Sequence, residues 1–336
     1  MSGFTNYLAK NGLDLSFIFQ SGVSTSITGF YLLNGNDISS LFSPYTSGTQ
    51  APLTGLITQT GVDISTLFTA RVSFMPLQIQ GCCLWMDGAD STTITITSSK
   101  VSGWNDKSGQ NYHFAQSTAA NQPTYANNVI TFTGANSTHL IGNNAATNFA
   151  MGTNSYSCFV VCSVIPLVGA TANIYCKGRY ANVPGRLFIS RNPPSSGTLN
   201  ARFSRDTNTV FGIDDTSYVS GTYRIIELIL NRKVLKNDYI YVNGNLMRTT
   251  SNSADTNTSY SNNYLMLIGV GNDSTGTGVL TQTTEHLTGN VAEIVSYSNS
   301  TDMTDANRQK IEGYLAWKWS INTSLPLGHP YYSNPP

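Results

Sequence analysis

The spacing of apolar side chains changes in the segment TDANRQKIEGYLAWKW, residues 304–319, and this change determines the predicted fold. Apolar residues recur here at three- and four-residue intervals, at Ile311, Tyr314, Leu315 and Trp319. This spacing is typical of one face of an α-helix. Thr304 can cap the first turn, and the Asp305 carboxylate then lies near free backbone N–H groups. The segment predicts a helix whose apolar face covers a sheet and whose Arg308 and Glu312 face water.

Upstream of this helix, the chain consists of short apolar segments separated by turn residues. Eight such segments lie between residues 92 and 298. Asn243-Gly244 lies within one of them, residues 238–250, between two apolar strands, which is a strong signal for a two-residue hairpin. Strands this numerous and this regularly spaced predict an all-β protein with the fold of an antiparallel sandwich or jelly roll.

The composition excludes some classes of function. Charged residues make up 11% of the chain and the formal net charge is zero, so the basic excess of a nucleic-acid-binding protein is absent. No apolar run reaches the roughly 20 residues of a membrane span, and no secretion signal is recognised at the start. The odd number of cysteines, five, therefore predicts reduced thiols. Cys158 and Cys162 are interpreted as core residues of a buried strand.

Two regions of the chain resemble a known family. The segment RQKIEGYLAWKWSINTSLPLGHPY, residues 308–331, resembles the C-terminal signature of concanavalin A-like, laminin-G-like jelly-roll domains. The segment LWMDGADSTTITITSSKVSGWNDKSGQNYHFAQ, residues 84–116, resembles the N-terminal signature of the same family. Such domains are frequent in large DNA viruses, tailed phages and some bacteria. The resemblance covers residues 81–336 and implies a concanavalin A-like β-sandwich with one C-terminal helix.

Residues 1–80 are predicted to form an N-terminal arm that carries three copies of a short repeat. The copies lie at about residues 11–19, 28–42 and 54–68 and share Gly-x-Asp-(Ile/Leu)-Ser-x-(Leu/Ile)-Phe. Each copy combines a capping aspartate with an apolar face too small to bury itself, so docking on a partner and packing on the main domain both stay open. The candidate docking residues are Asp37, Ile38, Leu41, Phe42, Asp63, Ile64, Leu67 and Phe68. These repeats resemble repeats in structural proteins of giant viruses.

The acidic residues argue against an enzyme. A retaining glucanase needs two carboxylates about 5–5.5 Å apart, and in this fold they resemble Glu-x-Asp-x-x-Glu on one strand. The chain has four glutamates, and none has that spacing: Glu227, Glu285, Glu293 and Glu312. Glu293 is interpreted as a strand residue at the edge of the sandwich. No Gly-x-Ser-x-Gly elbow and no phosphate-binding loop is found, so no catalytic residue is predicted.

Two features suggest ligand binding. Trp104 borders a predicted loop, so its indole can stack on a sugar ring, although a core anchor is the competing interpretation. Asp87, Asp90 and Asp106 carry oxygen atoms that suit Ca²⁺. Hydrogen bonds that cap turns are the alternative role for these aspartates. No other cofactor is predicted.

The leading hypothesis is a non-enzymatic virion structural protein. It would be a minor capsid or capsid-associated component, made in the host cytoplasm, that binds other capsid proteins through its N-terminal repeats. The alternative is a lectin-like surface or fibre module that binds host glycans. Glycan binding that the Trp104→Ala substitution abolishes would favour this alternative.

Overall fold

The computed structural model describes residues 74–142, 151–165, 172–178, 186–191, 199–204, 210–212, 220–251 and 259–336. The chain divides into two compact units, Met1–Val72 and Ser73–Pro336. The candidate docking residues of the repeats, between Asp37 and Phe68, lie outside the described residues. All of the described residues belong to the second unit.

The described residues form seventeen β-strands and one α-helix. The strands are β1 (Cys82–Asp87), β2 (Ile94–Thr97), β3 (Lys100–Trp104), β4 (Phe114–Ala115), β5 (Thr124–Ala126), β6 (Val129–Phe132), β7 (Leu140–Gly142), β8 (Ser155–Val164), β9 (Ala172–Lys177), β10 (Arg186–Arg191), β11 (Leu199–Ser204), β12 (Val210–Gly212), β13 (Arg224–Leu230), β14 (Asn237–Val242), β15 (Asn245–Ser251), β16 (Met266–Ile268) and β17 (Gly289–Asn299). The helix α1 spans Asp305–Lys318, close to the predicted range.

The strands form two antiparallel layers. The front sheet has the order β15–β14–β13–β8–β17–β1. The back sheet has the order β2–β3–β4–β7–β16–β9–β10–β11–β12. Strands β5 and β6 link the layers, because β5 pairs with β3 and β6 while β6 also pairs with β17. The predicted antiparallel sandwich is confirmed.

The core between the layers explains the apolar segments of the sequence. Every residue of β8 is buried, because one face of this strand meets the back sheet and the other meets the helix layer. Cys158 and Cys162 are free thiols inside this core, as predicted, and burial raises the pKa of each to about 12. These two thiols are therefore unreactive at neutral pH.

The predicted hairpin at Asn243-Gly244 is present between β14 and β15. Both residues have positive φ angles, 50° at Asn243 and 73° at Gly244. A two-residue turn of this kind matches the twist of its flanking strands and favours asparagine followed by glycine. The hairpin sets the register in which β14 presents its side chains.

Helix α1 packs on the outer face of the front sheet and forms a third layer. Its Ile311 and Leu315 are buried against sheet residues that include Ile225, Ile229, Val295 and Tyr297. The Thr304 hydroxyl accepts a hydrogen bond from the Asn307 N–H at 3.2 Å, so the predicted cap is confirmed. Phe74 and Ile79 belong to the same apolar layer, although sequence reasoning placed them in the arm.

Two predictions about charged residues are wrong. Arg308 and Glu312 were expected in water, but their exposed fractions are 7% and 0%. Glu293 was expected at an edge, but β17 lies between β8 and β1, and Glu293 is fully buried. Each of these residues has a polar or charged partner across the helix–sheet interface, and such partners offset the cost of burying a charge.

Candidate ligand-binding site

Trp104 is not at a sugar-binding surface. It ends β3 and lies in the core between the two layers, with no exposed surface. Stacking on a sugar needs an open ring face, and a buried indole has none. The predicted stacking role of Trp104 is therefore corrected, and the core-anchor interpretation fits its position.

The three aspartates considered as calcium ligands bind protein groups. Asp87 pairs with Lys318 through Oδ1 at 2.6 Å and with Lys107 through Oδ2 at 2.8 Å. Asp90 also pairs with Lys107, at 2.8 Å. Asp106 caps a turn by accepting hydrogen bonds from the backbone N–H groups of Trp85, Ser108 and Tyr112. Across the described ranges, no three or more His, Cys, Asp or Glu side chains are grouped as a metal site.

Glu293 lies under the C-terminal half of α1, and its carboxylate is surrounded by donors. Oε1 accepts hydrogen bonds from Trp85 Nε1 at 2.7 Å and from the Tyr314 hydroxyl at 2.8 Å. Oε2 accepts one from Trp319 Nε1 at 2.7 Å and pairs with Lys318 Nζ at 2.8 Å. Burial raises the pKa of Glu293, and the Lys318 charge opposes this rise. We call these residues the Glu293 cluster.

A second buried cluster lies under the N-terminal half of α1. Glu227 of β13 contacts Glu312 of α1 carboxyl to carboxyl. Glu312 also pairs with Arg308 Nη1 and, at 2.8 Å, with His329 Nε2. Glu227 Oε1 accepts a 3.3 Å hydrogen bond from the Gly244 N–H. We call these residues the Glu227 cluster.

The pKa values of the two carboxyl groups in the Glu227 cluster move in opposite directions. Burial and the nearby Glu312 charge raise the pKa of Glu227 well above its ordinary value. Burial also acts to raise the pKa of Glu312, but hydrogen bonds from His329 and Glu227 and the Arg308 charge lower it overall. Neither glutamate has exposed surface. A catalytic acid–base pair must reach its substrate, so this pair is structural.

Beside the Glu227 cluster, the front sheet and the first turn of α1 enclose a groove with about 370 Å³ of space, part of it open to solvent. Its walls are Ile229, Asn231, Leu235, Tyr239, Tyr241, Met303, Asp305 and Arg308. We call this feature the tyrosine groove. Sequence reasoning did not predict it.

The aromatic wall of the groove comes from one strand. Tyr239 and Tyr241 lie two residues apart on β14, so they share a face of the sheet. Their ring centroids are 6.0 Å apart and the rings are tilted by 33°. The Arg308 guanidinium covers the Tyr241 ring, with its Cζ 4.0 Å from the centroid. Tyr241 is buried and Tyr239 is half-buried, so Tyr239 offers the more accessible ring.

The opposite wall holds the exposed charge of the groove. The Asp305 side chain is 82% exposed. Its Oδ1 accepts hydrogen bonds from Arg308 Nε at 3.3 Å and Nη2 at 3.2 Å. No described residue donates to Oδ2, so this oxygen can accept a hydrogen bond from a ligand.

Hydrogen bonds also hold the loop between β13 and β14 in place. The Asp302 carboxylate accepts from three consecutive backbone N–H groups, those of Lys233, Val234 and Leu235, at 2.9, 2.7 and 2.8 Å. Asn231 bonds to both backbone groups of Met303. The walls of the groove are therefore ordered before any ligand binds, which reduces the entropic cost of binding.

The sequence carried one signal for this groove, namely the alternation of Tyr239 and Tyr241 in a predicted strand. That signal was incomplete, because Asp305 and Arg308 come from the distant helix. Only the packing of α1 on the front sheet brings the four side chains together. Asp305 is the only carboxylate among the lining residues, whereas most glycoside hydrolases use a pair of carboxyl groups, so the arrangement suits binding.

Comparisons with known proteins support the fold. No protein-family model and no curated protein sequence matches this chain. The binding domain of Paraclostridial Mosquitocidal Protein 1 matches with a TM-score of 0.50 and 13% identity, over 72% of this chain and 53% of that chain. The binding domain of botulinum neurotoxin DC in complex with rat synaptotagmin II matches with a TM-score of 0.46 and 12% identity, over 70% of this chain and 52% of that chain.

The chain thus spans about half the length of the solved structures that it matches. At these identities the likeness shows the β-sandwich fold alone. The structures named are toxin binding domains, and the resemblance to viral structural proteins finds no support among them. In the part of the chain that the structure describes, no helix is long and apolar enough to cross a membrane.

Proposed function

We propose that this chain is a non-catalytic binding domain whose tyrosine groove binds a glycan. The observation that carries the proposal is the pairing of the accessible Tyr239 ring with the exposed Asp305 carboxylate across one preformed groove. Sugars present apolar C–H faces beside hydroxyl groups, so an aromatic ring and an oriented acceptor together match both parts. The solved structures named above are binding domains rather than enzymes, which is consistent with this proposal.

The groove suits the end of a glycan rather than a long chain, because its space is small. Tyr239 would stack on one sugar ring, while Asp305 Oδ2 would accept hydrogen bonds from the hydroxyl groups of that sugar. Tyr241 supports the site from below, since Arg308 already covers its ring. This arrangement follows the usual pattern of apolar walls with a few placed polar groups.

A glycan array with the full chain tests the proposal. Tyr239→Ala should weaken the strongest glycan signal by about tenfold, which corresponds to about 1.4 kcal/mol, because it removes the ring on which the sugar would stack. Tyr125→Ala is the matched control, since Tyr125 is also half-buried on a strand but lies outside the groove. This control should bind within about twofold of the natural chain.

Thermal unfolding of each variant separates lost binding from lost folding. The proposal fails if the natural chain binds no glycan on the array. It also fails if Tyr239→Ala, when folded, binds as tightly as Tyr125→Ala.

The virion role stays a prediction. It depends on the repeats at about residues 11–19, 28–42 and 54–68, which lie outside the described residues. Deletion of residues 1–72, which keeps the buried Phe74, should leave the sandwich folded and remove the chain from the particle, if docking occurs through these repeats. Normal incorporation of the truncated chain would contradict this prediction.

A further inference from the structure

We infer that the tyrosine groove selects uncharged glycans and rejects those that carry a carboxylate. This inference rests on the proposed function, because it specifies the ligand class of the same groove. It is argued from the exposed charge in the groove and from the hydrogen bonds that Arg308 already donates to Asp305 and Glu312.

The exposed charge on the walls of the groove is negative. Two of the lining residues are charged, and Arg308 is buried while the Asp305 side chain is 82% exposed. An anionic sugar placed at Asp305 would therefore meet a like charge, and like charges at an interface disfavour the wrong ligand.

Arg308 does not offset this repulsion, because its guanidinium already has partners. Nε and Nη2 form one edge of the fork and donate to Asp305, while Nη1 donates to Glu312. The flat face lies on the Tyr241 ring. Recognition of a carboxylate by arginine uses two parallel N–H groups of a free edge. To bind an acidic sugar, Arg308 would have to leave a buried ion pair, which is costly.

Asp305 instead favours ligands that donate hydrogen bonds. Arg308 fixes the orientation of its carboxylate through Oδ1, and Oδ2 is open among the described residues. Hydroxyl groups of a neutral sugar are donors, and a charged acceptor makes such hydrogen bonds stronger than neutral ones. The same carboxylate thus attracts neutral glycans and repels acidic ones.

The test uses matched glycans that differ in one group, such as a neutral oligosaccharide and the same oligosaccharide with a terminal sugar acid. Affinities are measured by titration calorimetry with the full chain and with Tyr239→Ala, Asp305→Asn and Asp273→Asn. The natural chain should bind the neutral member at least about tenfold more tightly. Asp305→Asn should reduce this preference to below about threefold. Asp273→Asn, which changes a half-buried turn aspartate outside the groove, should keep this preference.

The outcomes separate this inference from the proposed function. If the acidic member binds as tightly as the neutral one and Tyr239→Ala abolishes both, the inference is overturned while the proposed function stands. If the preference persists in Asp305→Asn, the inference is also overturned. If neither member of any pair binds the natural chain, both proposals fall.

Discussion

The Glu293 cluster and the Glu227 cluster each bury a glutamate between the front sheet and α1, but the two glutamates have different partners. Both glutamates are fully buried on the outer face of the front sheet beneath helix α1. Glu293 meets a lysine and three neutral donors, whereas Glu227 meets the carboxylate of Glu312. Burial alone therefore does not determine how a carboxyl group contributes to stability. Its contribution depends on which side chains of the helix it contacts.

The largest expected effect is at Glu293. Glu293→Gln keeps the shape of the side chain but turns an amide N–H₂ group toward Trp319 Nε1 and Lys318 Nζ, which are both donors. Breaking a buried ion pair on one side costs about 3–5 kcal/mol. Urea unfolding at pH 7 should show a loss of about 3 kcal/mol. A loss below about 1 kcal/mol would mean that the Glu293 cluster does not hold the helix.

An intermediate loss of stability is expected for a substitution of His329, the member of the Glu227 cluster that lies in the C-terminal tail after α1. His329 donates to Glu312 through Nε2 at 2.8 Å, and its Nδ1 accepts from the Tyr331 N–H at 3.1 Å. His329→Ala should cost about 2 kcal/mol, because it removes a hydrogen bond to a charged group. Leu327→Ala is the control in the same tail, since Leu327 is 84% exposed, and it should change stability by less than about 0.5 kcal/mol. Equal losses of stability for the two variants would contradict the stabilising role of the His329–Glu312 hydrogen bond.

No loss of stability at pH 7 is expected for Glu227→Gln, in contrast to Glu293→Gln. Glutamine can donate to Glu312 as the protonated glutamate does, and it has no proton to release on unfolding, so the free energy of unfolding should be unchanged or higher in the variant. A loss of stability in urea unfolding would show that Glu227 is ionised in the folded chain.

The pH dependence of stability sharpens this contrast. The pKa of Glu227 lies above its ordinary value of 4.5 in the folded chain, so the folded state holds a proton that the unfolded state releases. Stability should therefore fall as the pH rises from about 4.5 toward the raised pKa, by up to about 1.4 kcal/mol per pH unit. Glu227→Gln should have a shallower slope in urea unfolding from pH 5 to 9. Some slope should remain, because burial raises the pKa of Glu293 too. Equal slopes for the natural chain and for Glu227→Gln would contradict the conclusion that Glu227 holds a proton in the folded chain.

The smallest effect is expected from calcium. Asp87 links the Glu293 cluster to Lys107, and both of its oxygens already have lysine partners. We therefore expect calcium or EDTA to shift the unfolding temperature by less than about 1 °C. A calcium-dependent rise in that temperature would mean that the ion displaces Lys107 from Asp87 and Asp90.

Much of the fold could be predicted because its signals are local. The alternation of apolar residues, the Asn243-Gly244 turn and the Thr304 cap each depend on neighbours in the sequence. The candidate site could not be predicted in this way. Tyr239 and Asp305 belong to different elements, and their meeting depends on where α1 packs on the front sheet. The local sequence around Trp104 favours a core anchor over a stacking surface, and the packing of the two sheets places its indole in the core.

By itself, the sequence determined the sandwich, the closing helix and the absence of a local catalytic motif. These properties follow from side-chain periodicity and turn chemistry, which act over a few residues. Only the tertiary structure determined the burial and the partners of four charged residues, namely Glu227, Glu293, Arg308 and Glu312. The free energy of a buried charge depends on the donors and charges within a few ångströms, and here those partners come from distant parts of the chain.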